Sequence, residues 1–365
     1  YIQYMKIPNL TKPDSPNFSC GPTNKPEGWK VKNFNQQFLG RYHRSDDVIV
    51  YVEGIVSRIK KILNIPQEYK LIITPGSTTG AMEAVIWSFL GENEITTIVY
   101  DYWADLWAND LKKLKLKLDL RYSLNGRVPS LKNIPKKNDV LFVWTGTSTG
   151  MSINNCDFIK NTQEGLVISD ITSAAFIYDI PWRKLDISVF SWQKALGGES
   201  QHGMVILSPK AKKRLKKKHS IPKVLDIARH DYLINTPSLL SFADLEICLD
   251  TYQKRGSLKG NKKICEENKK IIDSWLENNI YLKKFSKDSS FDAMTPSFLI
   301  PNKKINLEKI HNFLKINKIA YDIKNYKHAP KGIRIWTGPT IKKKDLIALT
   351  NWLDWSFKNI NYIKL

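Results

Sequence analysis

One lysine stands in a setting that suits covalent chemistry. Lys194 lies in the segment Ser-Trp-Gln-Lys-Ala-Leu-Gly-Gly, residues 191–198, at the end of the apolar, strand-like run 187–191. A lysine delivered by a strand into a turn of small residues can be held away from bulk water, so that it loses its proton near neutral pH. A neutral amine can form a Schiff base with a carbonyl group. Lys194 is therefore the candidate catalytic residue.

An acidic side chain precedes this lysine at the end of another apolar run. Asp170 follows the residues Gly-Leu-Val-Ile-Ser at positions 165–169. A carboxylate at one strand end and Lys194 at the next suit pyridoxal 5'-phosphate, whose ring nitrogen takes an acidic partner while its aldehyde takes the lysine. A lone aspartate in this place would more simply cap a helix. The pairing with Lys194 is what favours a cofactor site.

A turn of small residues supplies a candidate phosphate cradle. Residues 75–80, Pro-Gly-Ser-Thr-Thr-Gly, stand between a predicted strand over 69–74 and a predicted helix over 81–90. Small residues there let backbone N–H groups approach a phosphate, and the helix N-terminus adds partial positive charge. The motif is not a Walker A loop, because no Gly-Lys-Ser/Thr follows. By itself the turn is also consistent with an ordinary capped helix start.

Other side chains near predicted strand ends could contact a flat cofactor or an anionic substrate. Trp103 follows the strand predicted over 95–100 and could stack on a ring, and Thr147 lies in the polar turn 145–150. A core tryptophan and a turn threonine are equally ordinary interpretations. Arginine is the residue for a bidentate grip on a carboxylate or phosphate. The candidate anion-binding groups are His43, Arg44, His328 and Arg334.

The elements that carry these residues alternate between strands and helices. Such alternation over about 200 residues predicts an α/β fold, with a large domain built on a mostly parallel sheet covered by helices. An amphipathic helix is predicted over 48–63 and another helix over 105–114. Besides the strands already mentioned, short apolar strands are predicted over 140–144, 166–169, 187–191 and 204–207.

The pattern changes beyond about residue 241. A helical pattern runs over 239–275 with an interruption near 256–260. Strands over 297–300 and 332–336 and helices over 307–317 and 343–357 follow it. We therefore predict a large domain over residues 1–245, which includes an N-terminal arm, and a smaller C-terminal α/β domain over 246–365.

Composition excludes several classes of protein. The 365 residues are 42% hydrophobic with a mean hydropathy of −0.35, typical of a globular protein, and about 18 consecutive uncharged apolar residues are found nowhere, so no membrane span is expected. The four cysteines are widely spaced without a C-x-x-C pair, so we expect neither a disulfide framework nor a metal site. Isolated thiols indicate a reducing compartment, and the cytoplasm is the expected location.

The formal net charge of +22 admits two interpretations. Lysine-rich surfaces attract the phosphate backbone of nucleic acids. The charge is, however, spread along the whole chain, and neither a zinc-finger spacing nor an aromatic RNA-binding signature accompanies it. We therefore expect no specific nucleic-acid partner, and a positive field would instead steer small anionic substrates.

Four motifs occur in one order along nearly the whole chain. They are Asn-Phe-Ser-Cys-Gly-Pro at 17–22, the lysine segment 191–198 with His-Gly-Met at 202–204, Asn-Thr-Pro-Ser at 235–238, and Gly-Ile-Arg-Ile-Trp at 332–336. In this set the chain resembles the phosphoserine aminotransferase family, fold-type I pyridoxal-phosphate enzymes of the class V aminotransferase group. The resemblance implies a seven-stranded, mostly parallel sheet and a homodimer with active sites at the subunit interface.

The resemblance also implies a role for each candidate residue. Lys194 would bind the cofactor aldehyde and move a proton, Asp170 would pair with the ring nitrogen, Trp103 would stack on the ring and Thr147 would bond its 3-hydroxyl side. The cofactor phosphate would be held by Ser77, Thr78 and Gln193, joined by Asn235 and Thr236 of a second protomer. Arg334 would bind the substrate α-carboxylate, and the substrate phosphate would meet His43, Arg44 and His328.

The implied reaction is the interconversion of O-phosphoserine and 2-oxoglutarate with 3-phosphohydroxypyruvate and glutamate, in serine biosynthesis, with 4-phosphohydroxythreonine as a further possible substrate class. One departure concerns phosphate recognition, since Thr79 stands where some members carry an arginine. Lys223 or Arg229 are candidates to compensate. The alternatives are another class V aminotransferase, such as one acting on serine or alanine with glyoxylate, and a basic nucleic-acid-binding protein.

Overall fold

A computed structural model describes residues 8–215, 220–229 and 233–363. The helices are α1 (Asp46–Ile62), α2 (Ser77–Phe89), α3 (Tyr102–Lys113), α4 (Pro209–Arg214), α5 (Leu239–Lys254), α6 (Ser257–Glu277), α7 (Leu307–Ile316) and α8 (Lys343–Lys358). The strands are β1 (Lys70–Pro75), β2 (Ile95–Val99), β3 (Leu118–Tyr122), β4 (Asp139–Val143), β5 (Thr145–Gly146), β6 (Met151–Ser152), β7 (Val167–Asp170), β8 (Ile187–Phe190), β9 (His202–Leu207), β10 (Leu282–Lys284), β11 (Ser297–Pro301) and β12 (Ile333–Ile335).

Seven strands form the main sheet, in the order β1-β9-β8-β7-β4-β2-β3. The pairs β8-β7, β7-β4, β4-β2 and β2-β3 are parallel, and β9 runs antiparallel to both of its neighbours. This arrangement confirms the prediction of an α/β fold with a mostly parallel sheet. Because only β9 runs in the opposite direction, the carboxyl ends of the other six strands lie at one edge.

Both faces of this sheet are covered, which explains why its strands are apolar runs. In β4, Val140 and Phe142 belong to one hydrophobic core, while Leu141 and Val143 belong to the other. Side chains of successive strand residues point to opposite faces, so most positions of a strand between two cores are apolar, and the polar residues that remain, such as Thr97 and Ser169, are buried as well. The central strands β2, β4, β7, β8 and β9 are buried along their full length.

A second, smaller sheet lies in the C-terminal part of the chain. Strands β10, β11 and β12 pair antiparallel, and α6, α7 and α8 accompany them. The domain boundary predicted near residue 245 falls inside α5, where the Leu245 side chain is fully buried. The interruption predicted near 256–260 is confined to the two residues between α5 and α6, with Gly256 at φ 92°.

The N-terminal segment joins the two parts of the molecule. The carbonyl groups of Pro16 and Phe18 accept hydrogen bonds from the Tyr321 and Trp336 backbone N–H groups, at 2.7 and 3.0 Å. The chain then crosses to the main sheet, where the Thr23 N–H donates to the Gln193 carbonyl at 3.0 Å. We call residues 16–23 the N-terminal strap.

Two helices begin earlier than the apolar periodicity predicts. Residues 75–80 do not form a separate turn, because α2 already starts at Ser77 behind a left-handed Gly76 at φ 78°. Helix α3 starts at Tyr102 instead of residue 105, because the Asp101 side chain accepts from the N–H groups of its first turn. The first turn of α2, Ser-Thr-Thr, carries no hydrophobic signal, and the start of α3 is set by the Asp101 cap and not by the spacing of apolar residues.

Candidate active site

A cavity of about 180 Å³ opens at the edge of the main sheet where the parallel strands end. It is lined by Gly21, Pro22, Ser77, Thr78, Thr79, Trp103, Trp107, Val143, Thr145, Thr147, Asp170, Thr172, Ser173, Gln193, Lys194 and Ser200. The structure thus brings together the residues predicted to bind a cofactor ring, its aldehyde and one side of its phosphate. They come from the first turns of α2 and α3 and from the segments that follow β4, β7 and β8.

Lys194 is half-buried in this cavity, and its pKa is lowered to about 8. Burial is the main cause, because it removes water from the ammonium form, and the positive charge of Arg334 acts in the same direction. The Nζ atom donates a hydrogen bond to the Cys20 carbonyl of the strap. Lys194 therefore exists in part as a neutral amine near physiological pH.

The strap fits closely over the lysine. Gly21 has φ 139°, and a Cβ atom placed on it would lie 2.7 Å from Lys194 Cε. The Thr23 hydroxyl donates to the Lys194 carbonyl at 2.7 Å. The strap thus contacts both the side chain and the backbone of Lys194, and it leaves room for no side chain at position 21.

Asp170 is a buried carboxylate with hydrogen bonds on one oxygen. Its Oδ1 accepts from the Thr172 hydroxyl at 2.6 Å and from the Thr172 N–H at 3.0 Å. Burial raises the pKa of Asp170, and the hydrogen bonds from Thr172 oppose that rise. The Thr172 hydroxyl also lies 2.8 Å from the Thr78 hydroxyl, which connects Asp170 to α2. A cation beside Asp170 would stabilise its charged form.

The N-terminus of α2 forms the polar end of the cavity. Its cap residue, Gly76, offers no side-chain acceptor, and the side chains of Ser77, Thr78 and Thr79 line the cavity. The first N–H groups of a helix lack intrahelical partners and carry partial positive charge. The buried Oε1 atom of Gln193 has no hydrogen-bond partner among the described residues. An anion with several oxygen atoms fits the helix N–H groups and these hydroxyl groups, while Gln193 Oε1, which is an acceptor, takes a hydrogen bond only from a donor group.

The buried carboxylate of Asp101 holds Trp103 in place. Asp101 is fully buried, and its carboxylate accepts from the Trp103 N–H at 2.7 Å and from the Ser148 N–H at 3.0 Å. The Ser148 hydroxyl in turn accepts from the Tyr102 N–H at 2.9 Å. These bonds fix the first turn of α3 against the turn 145–150, so Trp103 and Thr147 keep their positions relative to each other.

Arg334 lies beside the cavity without lining it. Its guanidinium carbon is 5.8 Å from the centre of the Tyr326 ring, and its charge is close enough to lower the pKa of Lys194. Its Nε atom is buried and has no hydrogen-bond partner in the described part of the chain. A half-buried guanidinium with a buried, unpaired Nε donor is suited to a carboxylate.

The remaining predicted residues do not line the cavity. His43 is half-buried and burial lowers its pKa, while the side chains of Arg44 and His328 are exposed. Asn235 and Thr236 are also exposed. The segment that carries them is held by His202, whose Nε2 accepts from the Ser238 N–H at 2.9 Å. The roles given to these residues stay predictions.

Sequence reasoning misses two residues of the cavity that a local signal indicates. Trp107 stands four residues after Trp103 on α3, so both indoles lie on one helix face. Thr172 stands two residues after Asp170, the usual spacing for an aspartate carboxylate that accepts a hydrogen bond from a backbone N–H group. The signal for Ser173 and Ser200 is absent from the local sequence, because the fold alone brings them to the cavity.

Fold and site together define a class of protein. An α/β sheet that presents a lysine of lowered pKa, a buried carboxylate and an open helix N-terminus to one cavity can bind an anionic aldehyde and keep the amine beside it neutral. Among the side chains that the structure describes, no group of three or more His, Cys, Asp or Glu residues could hold a metal ion. The site is therefore organised around Lys194.

Comparison with known proteins identifies the family. The Aminotransferase class-V family matches residues 23–247. Phosphoserine aminotransferases from Methanosarcina mazei and Methanosarcina barkeri are each 36% identical to this chain, over 360 and 361 residues, and each match covers 94% of this chain and 97% of the relative. The chain belongs to the class-V aminotransferase family and is a transaminase.

Solved structures support the same fold. The structure of pyridoxal-phosphate-bound phosphoserine aminotransferase from Trichomonas vaginalis superposes with a TM-score of 0.75 at 16% sequence identity. The match covers 93% of this chain and 99% of that one. At this identity the likeness concerns the fold alone. Because the match covers almost the whole chain, the likeness includes both the large and the small sheet.

Proposed function

We propose that this chain is a pyridoxal 5'-phosphate-dependent aminotransferase that interconverts O-phosphoserine and 2-oxoglutarate with 3-phosphohydroxypyruvate and glutamate. The name of the two relatives at 36% identity supports this reaction. The observation that carries the proposal is the arrangement of one cavity, in which Lys194 with its pKa near 8, buried Asp170 and the open N-terminus of α2 face the same space.

The residues present fit the cofactor. Pyridoxal phosphate has an aldehyde, a ring nitrogen and a phosphate, and the cavity offers each of them a partner: a partly neutral amine, a carboxylate and a helix N-terminus. The hydroxyl groups of Ser77, Thr78 and Thr79 line the same end of the cavity and add hydrogen-bond donors for the phosphate. When bound, the cofactor draws electrons from the substrate Cα atom.

Each cofactor group has a set of protein residues to hold it. Asp170, which Thr172 keeps in orientation, would contact the ring nitrogen. Trp103, which the Asp101 carboxylate holds in place, would cover the ring face. Thr147 would lie at the 3-hydroxyl side. The phosphate would be held by Ser77, Thr78 and Gln193, with Asn235 and Thr236 supplied by a second protomer.

Lys194 would act twice, first by holding the aldehyde and then by moving a proton. Its Nζ atom can accept a proton from the substrate Cα only in the uncharged form, and burial keeps a large share of it uncharged near pH 8. The Cys20 carbonyl, which accepts from Nζ, gives the amine a fixed direction. The cavity thus supplies a general base beside the reacting carbon.

Arg334 and the exposed cationic groups would select the substrate. Arg334 would bind the α-carboxylate that all four reactants share, because its buried Nε is unpaired in the described chain. His43, Arg44 and His328 would meet the substrate phosphate, and Thr79, which lines the cavity in place of an arginine, leaves that task to them.

The position of four predicted site residues outside the cavity supports a homodimer that completes the site. His43, Arg44, Asn235 and Thr236 lie outside the cavity of their own chain, so they are free to reach the cavity of a second one. In the described residues, no helix has both the length and the apolarity to cross a lipid bilayer. All four cysteines are buried free thiols, which supports a reducing compartment and a cytoplasmic location.

An absorption spectrum tests cofactor and substrate together. The protein loaded with pyridoxal phosphate should show a visible band that O-phosphoserine removes and serine does not, and Lys194→Ala should show neither the band nor turnover. An equal response to serine would favour an aminotransferase of the serine or alanine–glyoxylate kind. A protein without the band that binds nucleic acid with steep salt dependence would overturn the proposal.

A further inference from the structure

We propose that Tyr326 is a positioning residue that holds Arg334 ready for the substrate α-carboxylate and links it to Trp103. The inference rests on the proposed function and adds a residue that none of the four sequence motifs contains. The Tyr326 ring is the contact that joins the two side chains: its centre is 5.0 Å from the Trp103 ring and 5.8 Å from the Arg334 guanidinium. Trp103 belongs to the large sheet's edge and Arg334 to β12, so Tyr326 bridges the two parts of the molecule.

The loop that carries Tyr326 is held by its own hydrogen bonds. We call residues 325–329 the mouth loop. The Asn325 side chain donates to the carbonyl groups of Tyr326 and Ala329, at 3.0 and 3.2 Å, and the Ala329 N–H donates to the Tyr326 carbonyl at 2.9 Å. This compact turn fixes the backbone from which the Tyr326 side chain extends. The exposed His328 side chain lies on the same loop.

Arg334 depends on this ring because the protein gives its side chain no other described partner. Its backbone N–H donates to the Ile323 carbonyl at 2.8 Å, which fixes the start of the side chain, and its buried Nε remains unpaired. An aromatic face within about 6 Å attracts a guanidinium and restricts its orientation without using its N–H donors. The donors of Arg334 therefore stay free for a carboxylate.

The Trp103 side of the contact gives the arrangement its second function. Trp103 is fixed through the Asp101 carboxylate, and the Tyr326 ring packs against the Trp103 ring at 5.0 Å between centres with a tilt of 38° between the two planes. Tyr326 thereby sets the distance between Trp103, which would stack on the cofactor ring, and Arg334, which would bind the carboxylate.

The experiment compares Tyr326→Leu, which removes the ring, with Tyr326→Phe, which keeps it. Steady-state kinetics with O-phosphoserine and with 2-oxoglutarate, together with calorimetric titration of glutarate, an unreactive dicarboxylate, measure carboxylate binding with and without turnover. Tyr326→Leu should raise both KM values and the Kd of glutarate by about tenfold, with a smaller change in kcat. Tyr326→Phe should stay within about twofold of the unchanged protein.

A matched control comes from the same domain. Tyr281→Leu removes a half-buried tyrosine that also lies beneath a cation, with Lys303 Nζ 5.1 Å from its ring centre, but does not line the cavity, and it should leave KM and glutarate binding unchanged. An equal loss in Tyr326→Phe and Tyr326→Leu would assign the effect to the hydroxyl and overturn the inference, as would a Tyr326→Leu protein with unchanged KM and Kd. Failure of the proposed function looks different, because the unchanged protein would then lack activity with O-phosphoserine.

Discussion

At the scale of single residues, the ionisation of Lys194 would control the proposed chemistry. Its pKa of about 8 lies below the ordinary lysine value of 10.5, so the reactive, uncharged amine becomes the major form as the pH rises through 8. This shift follows from burial beneath the strap and from the nearby Arg334 charge. The pH dependence of aldehyde capture therefore reports directly on the environment of this one side chain.

We expect the cofactor-free protein to capture pyridoxal phosphate faster as the pH rises. With a pKa near 8, the rate should grow about fivefold between pH 7 and pH 8 and level off above about pH 9. Stopped-flow absorbance at several pH values measures it, with Lys194→Ala as the protein that captures none. A rate that still rises tenfold per pH unit above pH 9 would mean that Lys194 ionises like an exposed lysine.

Asp170 should be needed for turnover more than for folding. Asp170→Asn keeps the size of the side chain but removes the negative charge that a cationic ring nitrogen requires, so kcat should fall on the order of 100-fold. The control is Asp179→Asn, which changes an exposed aspartate on the same segment. Activity of Asp170→Asn within about twofold of the unchanged protein would remove Asp170 from the proposed site.

At the scale of elements, the N-terminal strap covers Lys194 so closely that position 21 has no room for a side chain. Gly21 combines φ 139° with a would-be Cβ that lies 2.7 Å from Lys194 Cε and 2.9 Å from Nζ. Because the obstructed atoms are at the far end of the lysine, the lysine and not the fold must yield. The strap and the catalytic side chain are therefore one unit.

Gly21→Ala should lower activity far more than a glycine substitution elsewhere does. We expect kcat to fall at least about tenfold, since a displaced Lys194 loses its direction, and the free energy of unfolding to fall by about 1 kcal/mol from backbone strain. Gly28→Ala is the matched control, because Gly28 has φ 80° but nothing within 4 Å of the added methyl group. Denaturant unfolding and steady-state kinetics separate the two effects. Equal losses of kcat in both variants would contradict the claim that the strap directs Lys194.

Sequence patterns predict the buried elements well and the polar boundaries poorly. Strands β2, β4, β7, β8 and β9 are apolar because two cores flank them, so their runs are visible in the sequence. Strand β3 pairs only with β2 at the sheet edge and none of its five residues is fully buried, so Leu-Asp-Leu-Arg-Tyr does not form a continuous apolar run. Thr172 and Tyr326 reach the site through turns, which periodicity does not describe.

At the scale of the whole molecule, one chain holds an incomplete set of the predicted residues. The cavity contains the groups for the aldehyde, the ring and part of the phosphate site, while Asn235 and Thr236 are exposed on the same chain. In the proposed two-fold dimer each chain would complete the site of the other, because the same surface would serve both partners. The spread of positive charge, +22 in all, suits reactants that are all anions.

Complementation between two inactive variants tests this dimer. Lys194→Ala and the double variant Asn235→Ala, Thr236→Ala should each be weak or inactive alone. Co-expressed in equal amounts with different tags, they should recover about a quarter of the unchanged activity, because half of the dimers are mixed and each mixed dimer has one intact site. Recovery of no activity in a purified mixed dimer would place Lys194 and the 235–236 segment of the same chain in one site, and it would contradict the shared site.

The pairing of β1 with β9 has a consequence for synthesis on the ribosome. Leu71 pairs with Ile206, and β9 is the neighbour that joins β1 to the sheet. At translation rates of 5–20 residues per second, the roughly 130 residues between them take on the order of ten seconds to emerge. During that interval β2, β3 and β4 can already associate, whereas the apolar β1 waits without its partner. The nascent chain therefore passes through a stage in which this strand is open to chaperones.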